Sequence, residues 1–233
     1  GGTVLGEKYL PVGSTDVDRF IDEIRETQPD FIFNTLIGES SYAFYRAYAA
    51  VGAEDKRLGP ARIPVTSCSL SEPELLSIGA PAAAGHIASS VYFQSIDRPL
   101  NHRFVTRYRA RFGAQEVTSA DAEASYLAVI LLARAISASG STDITEVKQA
   151  LYQCRIDAPQ GSVRIDPANN HSYLTPALGI SRADGQFDIT WMAGEPVRPD
   201  PYLVWLDVAA LGDGTPAHPV SREQRAHLRM VRE

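Results

Sequence analysis

The chain has 233 residues, of which 44% are hydrophobic and 21% are charged. This balance is typical of one large globular domain or two small lobes, and it excludes a largely disordered chain; no uninterrupted apolar run approaches the ~18 residues of a membrane span. Twenty-two lysines and arginines against 28 aspartates and glutamates give a net charge of −6, which disfavours a broad nucleic-acid-binding surface.

The first part of the chain alternates strand and helix patterns. Strand patterns occupy residues 3–10, 31–37, 63–69 and 85–93. Helix patterns occupy residues 16–28, 40–51 and 72–78. Ser14 or Thr15 is placed to cap the first helix, and the run 31–37 is apolar enough for a strand buried on both faces. This alternation predicts an α/β fold with a parallel, doubly wound sheet.

After residue 95 the pattern changes to helices followed by strands. Helices are predicted at residues 101–112, 120–137 and 143–153. Strands are predicted at 162–166, 178–182 and 186–191, with a weak helix at 221–233. Asp184-Gly185 predicts a hairpin turn, because this pair tolerates the positive φ that such turns need. We expect this hairpin to return to the parallel sheet and extend it or cover its edge.

The beginning of the sequence and its cysteines leave the compartment open. The first residue is Gly1, no basic-then-apolar signal segment is present, and a strand pattern starts at once. We therefore expect a shortened N-terminus, which is no argument for a cytoplasmic protein. Cys68 and Cys154 could form one long-range disulfide, but two buried free thiols are favoured, because unpaired cysteine is usually buried.

The sequence contains few patterns that carry catalysis. It has no H-E-x-x-H, no C-x-x-C and no glycine-rich phosphate loop, so we predict no metal and no cofactor. Residues 38–42 read G-E-S-S-Y, which approaches the G-x-S-x-G elbow of serine hydrolases, although Tyr42 stands where that tight turn needs glycine. Ser40 is better interpreted as a helix cap or ligand contact, and a serine hydrolase remains an alternative function.

Several stretches in order carry a resemblance to a known family. They are residues 1–16 (GGTVLGEKYLP and GSTD), 29–40 (PDFIFNTLIGES), 92–97, 157–161, 169–171, 182–187 and 196–202. Over about residues 1–205 the sequence resembles the urea and short-chain amide branch of the type I periplasmic binding proteins. That branch holds the substrate-binding subunits of urea and amide ABC transporters and the amide sensors of amidase operons.

The resemblance implies two doubly wound, Rossmann-like lobes joined by three crossovers, with the N-terminal part of lobe one absent from this chain. Residues 1–95 would form ligand-binding lobe two, and residues 96–155 would be helices of lobe one. Residues 156–205 would be the crossover and return strands, and 206–233 a tail. A missing lobe part would leave apolar surface uncovered, so we predict a homo-oligomer that associates through it.

The resemblance also implies ligand contacts in lobe two. They are Ile37, Gly38 and Glu39 in the loop after strand 31–37, and the hydroxyl of Ser69 after the next strand. The amide sensors have threonine at the position of Ser69. An equally weighted alternative is that Ser69 caps the helix that begins at Glu72.

We therefore expect a non-enzymatic solute-binding protein for urea or a short aliphatic amide, in the periplasm or on an extracytoplasmic lipid anchor. Its partners would be a small neutral amide and the membrane subunits of an ABC transporter, and it would not bind nucleic acid. One alternative is a cytoplasmic amide sensor that holds a regulatory protein. Another is a branched-chain amino-acid binder, in which Glu39 would meet the ligand's ammonium group.

Overall fold

The computed structural model describes residues 2–201, of which residues 10–199 form one compact unit. Its helices are α1 (Asp18–Thr27), α2 (Gly38–Glu54), α3 (Glu72–Ile78), α4 (Pro99–Phe112), α5 (Ala120–Ser139) and α6 (Ile144–Gln153). Its strands are β1 (Ile32–Asn34), β2 (Val65–Ser67), β3 (Ile87–Ser90), β4 (Arg155–Ala158), β5 (Gly161–Ile165), β6 (Ser172–Tyr173), β7 (Ala177–Ser181) and β8 (Phe187–Met192). The predicted tail 206–233, with its helix, lies outside the described residues.

The larger sheet has five strands in the order β1-β2-β3-β7-β8. β1, β2 and β3 are parallel, whereas β7 and β8 are antiparallel and connected by the turn at Asp184-Gly185. The prediction that the late hairpin extends the parallel sheet is therefore confirmed. A second, antiparallel sheet has the order β4-β5-β6.

Each sheet has its own hydrophobic cluster. The first cluster joins α1, α2 and α3 to one face of the larger sheet, and its largest buried side chains include Tyr45, Tyr48, Phe93 and Phe187. The second cluster is smaller and joins α5 to the β4–β5 hairpin. The chain passes from the first cluster to the second after Phe104 of α4, which still belongs to the first, and before Leu127 of α5.

Two strand predictions are wrong. Residues 3–10 form no strand, because a strand requires a hydrogen-bonding partner and none of the described strands pairs with them. The segment around β1 is not buried on both faces, since Phe31 is 59% and Phe33 64% exposed. β1 lies at the edge of the described sheet, and these two side chains lie on its uncovered face.

Two smaller predictions also need correction. Val17 occupies the N-cap position of α1 and no side chain caps this helix, so neither Ser14 nor Thr15 has the predicted role. Cys68 and Cys154 are both free, as favoured, but Cys68 is exposed and Cys154 is half-buried. Cys68 is exposed because it follows the last residue of β2, where the chain leaves the sheet.

The helix α5 has an unusual apolar surface. By length and composition alone it is apolar enough to cross a membrane, with a mean hydropathy of 1.3 over eighteen residues, of which 22% are buried. Leu127 and Leu131 pack into the second cluster, whereas Val129 is 69% exposed. Glu123, buried in the first turn of α5, accepts a hydrogen bond from the amide of Gln160 at 2.7 Å, so one end of the helix is fixed to the β4–β5 hairpin.

Candidate functional site

The predicted ligand contacts follow the carboxyl ends of two neighbouring parallel strands. In β1 and β2, Asn34 and Ser67 are register partners at the last position of each strand. The chain then runs through residues 35–37 into α2, and through residues 68–71 into α3. Crevices outside the carboxyl ends of parallel strands are where open α/β sheets bind ligands. The structure therefore brings both predicted contact segments to the same edge.

Three of the four predicted residues form the start of α2. Ile37 is the N-cap residue in an extended conformation, and its side chain is 56% exposed. Gly38 has a φ of +57°, a left-handed conformation that glycine adopts without the steric cost a side chain would add. Glu39 is exposed in the first turn. This glycine lets the chain turn sharply from the loop into the helix.

The start of α2 has hydrogen-bond donors to offer. No side chain caps this helix, so the first backbone N–H groups have no partner within the helix. The helix dipole adds partial positive charge at the same end. A carbonyl oxygen or an anion placed there would accept hydrogen bonds from these N–H groups.

The fourth predicted residue, Ser69, is exposed and lies two residues beyond β2. The alternative that Ser69 caps α3 is wrong, because Ser71 occupies the N-cap position of that helix. The Ser71 hydroxyl bonds to the Glu74 carboxylate. Since Ser69 stands outside the helix, its hydroxyl is left at the carboxyl edge of the sheet.

Ser40 does not cap α2, and it lacks the exposure that a nucleophile needs. It lies inside α2 and is 2% exposed, and its Oγ accepts a hydrogen bond from the backbone N–H of Gly13 at 3.0 Å. The cap interpretation is therefore wrong, because Ile37 is the N-cap residue. A nucleophile needs exposure and a neighbouring base, and within residues 2–201 the hydrogen-bond partner of Ser40 is this backbone group. The hydroxyl fastens the turn at Gly13 to α2.

The sequence analysis did not identify three buried polar residues at the carboxyl edge of the sheet. Asn34 and Ser67 are each 4% exposed, and Tyr45 from α2 is fully buried beside them. Burial raises the pKa of the Tyr45 hydroxyl to about 12, although the neighbouring Asn34 and Ser67 side chains oppose the shift. Asparagine or serine directly after an apolar strand is a sequence signal for side-chain-to-backbone turns, and it could have drawn attention to both residues.

A second polar cluster lies where the chain leaves β3 and continues towards α4. The fully buried Glu72 accepts a hydrogen bond from the backbone N–H of Gln94 at 2.6 Å, and burial raises the pKa of this carboxyl to about 7. The Gln94 side chain accepts from the backbone N–H of Thr118 at 2.8 Å and donates to Gln186 at 3.0 Å. This cluster fastens the segment after β3 to α3, to the residues before α5 and to the β7–β8 hairpin.

One crevice of the described residues lies away from the four predicted contacts. It has a volume of about 540 Å³ and contains none of the four predicted contacts. Its lining includes Leu76, Gln94, His102, Arg109, Asp184 and Gln186. Within residues 2–201 no group of three or more histidines, cysteines and carboxylates is arranged to hold a metal.

Known proteins resemble this chain in both sequence and fold. The family described as "Periplasmic binding protein domain" matches residues 1–207. Limonene hydroxylase of Geobacillus stearothermophilus is 33% identical over 126 residues, which are 54% of this chain and 23% of that protein. The chain thus spans less than a quarter of the length of this curated relative.

Solved structures extend the comparison. An ABC transporter solute-binding protein from R. palustris in complex with 4-hydroxybenzoate has a TM-score of 0.72 and 24% identity, over 88% of this chain and 55% of that one. A second R. palustris solute-binding protein, in complex with benzoate, has a TM-score of 0.68 and 19% identity, over 82% and 50%. A leucine-binding protein from Thermotoga maritima has a TM-score of 0.57 and 20% identity, over 77% and 49%.

These solved relatives are about twice as long as the region they share with this chain. Their common fold accounts for the parallel β1-β2-β3 sheet and for its antiparallel extension. The family match covers most of the sequence, including every strand and helix described above. The chain therefore belongs to the periplasmic binding protein domain family and has the type I periplasmic-binding-protein fold.

Proposed function

We propose that this chain carries part of the binding site of a solute-binding protein for urea or a short-chain aliphatic amide, serving an ABC-type uptake system. The observation that carries the proposal is the set of groups at one sheet edge. These are the uncapped N–H groups at the start of α2, the exposed hydroxyl of Ser69 and the carboxylate of Glu39. None of these side chains is cationic, and their hydrogen-bonding capacity suits a neutral ligand.

The chemistry of an amide matches these groups. Its carbonyl oxygen would accept from the N–H groups at the start of α2, and its NH₂ group would donate to Ser69 or Glu39. The exposed side chain of Ile37 would limit the length of the carbon tail. A ligand that left one of these groups desolvated and unpaired would be rejected, because each such group costs ~1–3 kcal/mol.

Glu39 favours one second candidate, a branched-chain amino acid. Its carboxylate is exposed in the first turn of α2 and would pair with an ammonium group, while the N–H groups of the same turn would take the ligand's carboxylate. The similar leucine-binding protein of Thermotoga maritima supports this alternative. It differs from the first candidate in needing a charged, zwitterionic ligand.

The same proposal assigns partners, location and organisation. As a member of an uptake system the protein would lie outside the cytoplasmic membrane and deliver its ligand to the membrane subunits of the transporter. A cytoplasmic amide sensor that holds a regulatory protein would use the same site. Residues 1–95 would serve as lobe two, residues 96–155 as helices of lobe one and residues 156–205 as the crossover, with closure as a hinge motion.

Calorimetric titration of the chain with urea, acetamide, butyramide, leucine and 4-hydroxybenzoate tests the proposal. We expect saturable heat with one of the first three solutes, a loss of about tenfold in affinity for Ser69→Ala, and near-normal affinity for Ser69→Thr. Ser125→Ala on α5 is the matched control, because its exposed hydroxyl bonds within its own helix, to the backbone oxygen of Asp121.

Other results would contradict the amide assignment. Saturation by leucine alone would favour the amino-acid alternative, and saturation by 4-hydroxybenzoate alone would favour an aromatic carboxylate. Heat that continues without saturation and stops in Ser40→Ala would indicate a hydrolase. Silence with all five solutes would contradict binding of these solutes by this chain.

A further inference from the structure

The last residues of β1 and β2 share one arrangement. Asn34 and Ser67 are direct register partners, and each side chain is 4% exposed. The Asn34 Oδ1 accepts a hydrogen bond from the backbone N–H of Leu36 at 2.8 Å. The Ser67 Oγ accepts one from the backbone N–H of Ser69 at 3.0 Å. In both loops, therefore, the last side chain of the strand fixes the backbone two residues further on.

In both loops an exposed residue is the immediate neighbour of a leucine that packs into the core. In the first loop Leu36 packs against the core, and the next residue, Ile37, is exposed. In the second loop the order is reversed, since Ser69 is exposed and the next residue, Leu70, is 4% exposed. Each exposed residue therefore adjoins a leucine of the core, and the hydrogen bond to the buried side chain is made by Leu36 in the first loop and by Ser69 itself in the second. This double attachment sets the direction in which Ile37 and Ser69 face the edge.

The ring of Tyr45 is buried next to both acceptors. Tyr45 of α2 is fully buried, and its hydroxyl lies beside Asn34 and Ser67. Its ring packs at 5.7 Å from Phe44 and at 5.1 Å from His86, measured between centroids. Buried side chains packed in this way have little rotational freedom. The Tyr45 ring is therefore held in one position beside the two acceptors.

We propose that Asn34 and Ser67 are paired positioning residues that set the two ligand-contact loops at one height along the sheet edge. This inference rests on the proposed function, because it assumes that the loops contact a solute. Asn34 acts through the Leu36 N–H on Ile37 and the start of α2, and Ser67 acts on the Ser69 backbone. Neither side chain needs to touch the solute.

Backbone amide hydrogen exchange, measured by NMR on the solute-free chain, tests the positioning without any ligand. We expect Ser67→Ala to speed exchange at the Ser69 amide about five- to tenfold, and Asn34→Leu to do so at Leu36, since each variant loses the hydrogen bond that protects that amide. Ser67→Thr and Asn34→Asp keep an acceptor oxygen and should restore slow exchange. Acetamide titration of the same variants should show about a five- to tenfold loss of affinity for Ser67→Ala and recovery in Ser67→Thr.

Ser181→Ala is the matched control. Ser181 is a 3%-exposed serine of the same sheet whose Oγ accepts from the His86 backbone N–H at 3.0 Å. Its loss should lower stability comparably without changing exchange at Ser69 or the affinity for acetamide. Unchanged exchange at Ser69 in Ser67→Ala would overturn the proposal, as would faster exchange with unchanged acetamide affinity. Absence of binding by the wild-type chain would contradict the proposed function. The exchange rates would still decide whether Asn34 and Ser67 fix the backbone of the two loops.

Discussion

The two faces of the five-stranded sheet differ in how they are covered. On one face the register row Ser67, Ala88 and Gly179 is packed under α2 and the segment after β3, and Phe93 lies against Gly179. On the other face several large apolar side chains are exposed. Phe33 is 64%, Ile180 38% and Trp191 53% exposed. The same strands thus supply a dense core on one side and an exposed apolar surface on the other.

This difference shows that the apolar composition of a strand reflects the type of fold and not the burial of each side chain. Doubly wound sheets carry helices on both faces, so their strands are apolar on both sides. Phe31 and Phe33 follow that pattern although no described helix lies against them. The chain spans about half the length of its solved relatives, and its strands keep the composition of the whole fold. Apolar strand composition therefore predicts membership of this fold more reliably than burial in this chain.

The largest expected contrast comes from one phenylalanine on each face. Phe93 is 1% exposed and its ring packs against that of Phe187, with 4.7 Å between the ring centroids, so Phe93→Ala should lower the free energy of unfolding by ~3–5 kcal/mol. Phe33→Ala removes the same atoms from the open face and should change it by less than ~1 kcal/mol. Urea denaturation of the two variants measures both. Equal losses would mean that the open face is covered when the chain folds in solution.

The next contrast concerns pH and His86, which is buried under α2. Its Nδ1 accepts a hydrogen bond from the Val65 backbone N–H at 3.1 Å, which requires the neutral ring, and burial lowers its pKa to about 4. The unfolded chain binds this proton near pH 6.5, so stability is fully present above that pH and is lost between pH 6.5 and 4. We expect this group to account for a loss of ~3 kcal/mol.

Denaturation curves at several pH values measure that loss. His86→Gln is the control, because its amide oxygen can accept the Val65 N–H but does not titrate. The difference between wild type and His86→Gln should therefore grow as the pH falls below 6.5. Parallel curves over the whole range would contradict a neutral, buried His86.

Neighbouring residues of β7 give a smaller contrast. A Cβ atom at Gly179 would lie 3.0 Å from Phe93 and 3.1 Å from Phe187. Gly179→Ala should therefore cost ~1–3 kcal/mol through overpacking. Leu178 is the next residue along β7, on the open face, and is 37% exposed, so Leu178→Ala should cost less. Thermal unfolding of both variants measures the two losses of stability. A larger loss for Leu178→Ala than for Gly179→Ala would mean that the face described as open is the more closely packed one.

Much of the fold could be predicted from local patterns. The residues of α3 match the predicted 72–78, because Pro73 favours the first turn of a helix and Gly79 favours its end. The Asp184-Gly185 turn predicted the hairpin that extends the parallel sheet. Helix caps were less predictable. Ser40 has a capping side chain at a plausible position, but its hydroxyl is used by Gly13, a contact 27 residues away in sequence.

The candidate site was less accessible to sequence reasoning. Ile37, Gly38, Glu39 and Ser69 came from family resemblance, and nothing in their spacing alone places them at one sheet edge. Asn34 and Ser67 have turn-forming side chains after strands, which is a readable signal. Their pairing cannot be predicted in this way, because it depends on the register between two strands whose partners are 33 positions apart in the sequence. Register is a property of the assembled sheet.

The last contrast concerns self-association through the open face. It should affect stability least, and it tests the exposure of this face most directly. An uncovered apolar sheet face favours contact with a second copy, so light scattering should give a mass above that of one chain. Ile180→Lys and Trp191→Lys place charges on this face and should lower that mass with little change in thermal stability. Val129→Lys, on the exposed side of α5, is the matched control and should leave it unchanged. A wild-type monomer would contradict association through the sheet, and a response to Val129→Lys alone would move the contact to α5.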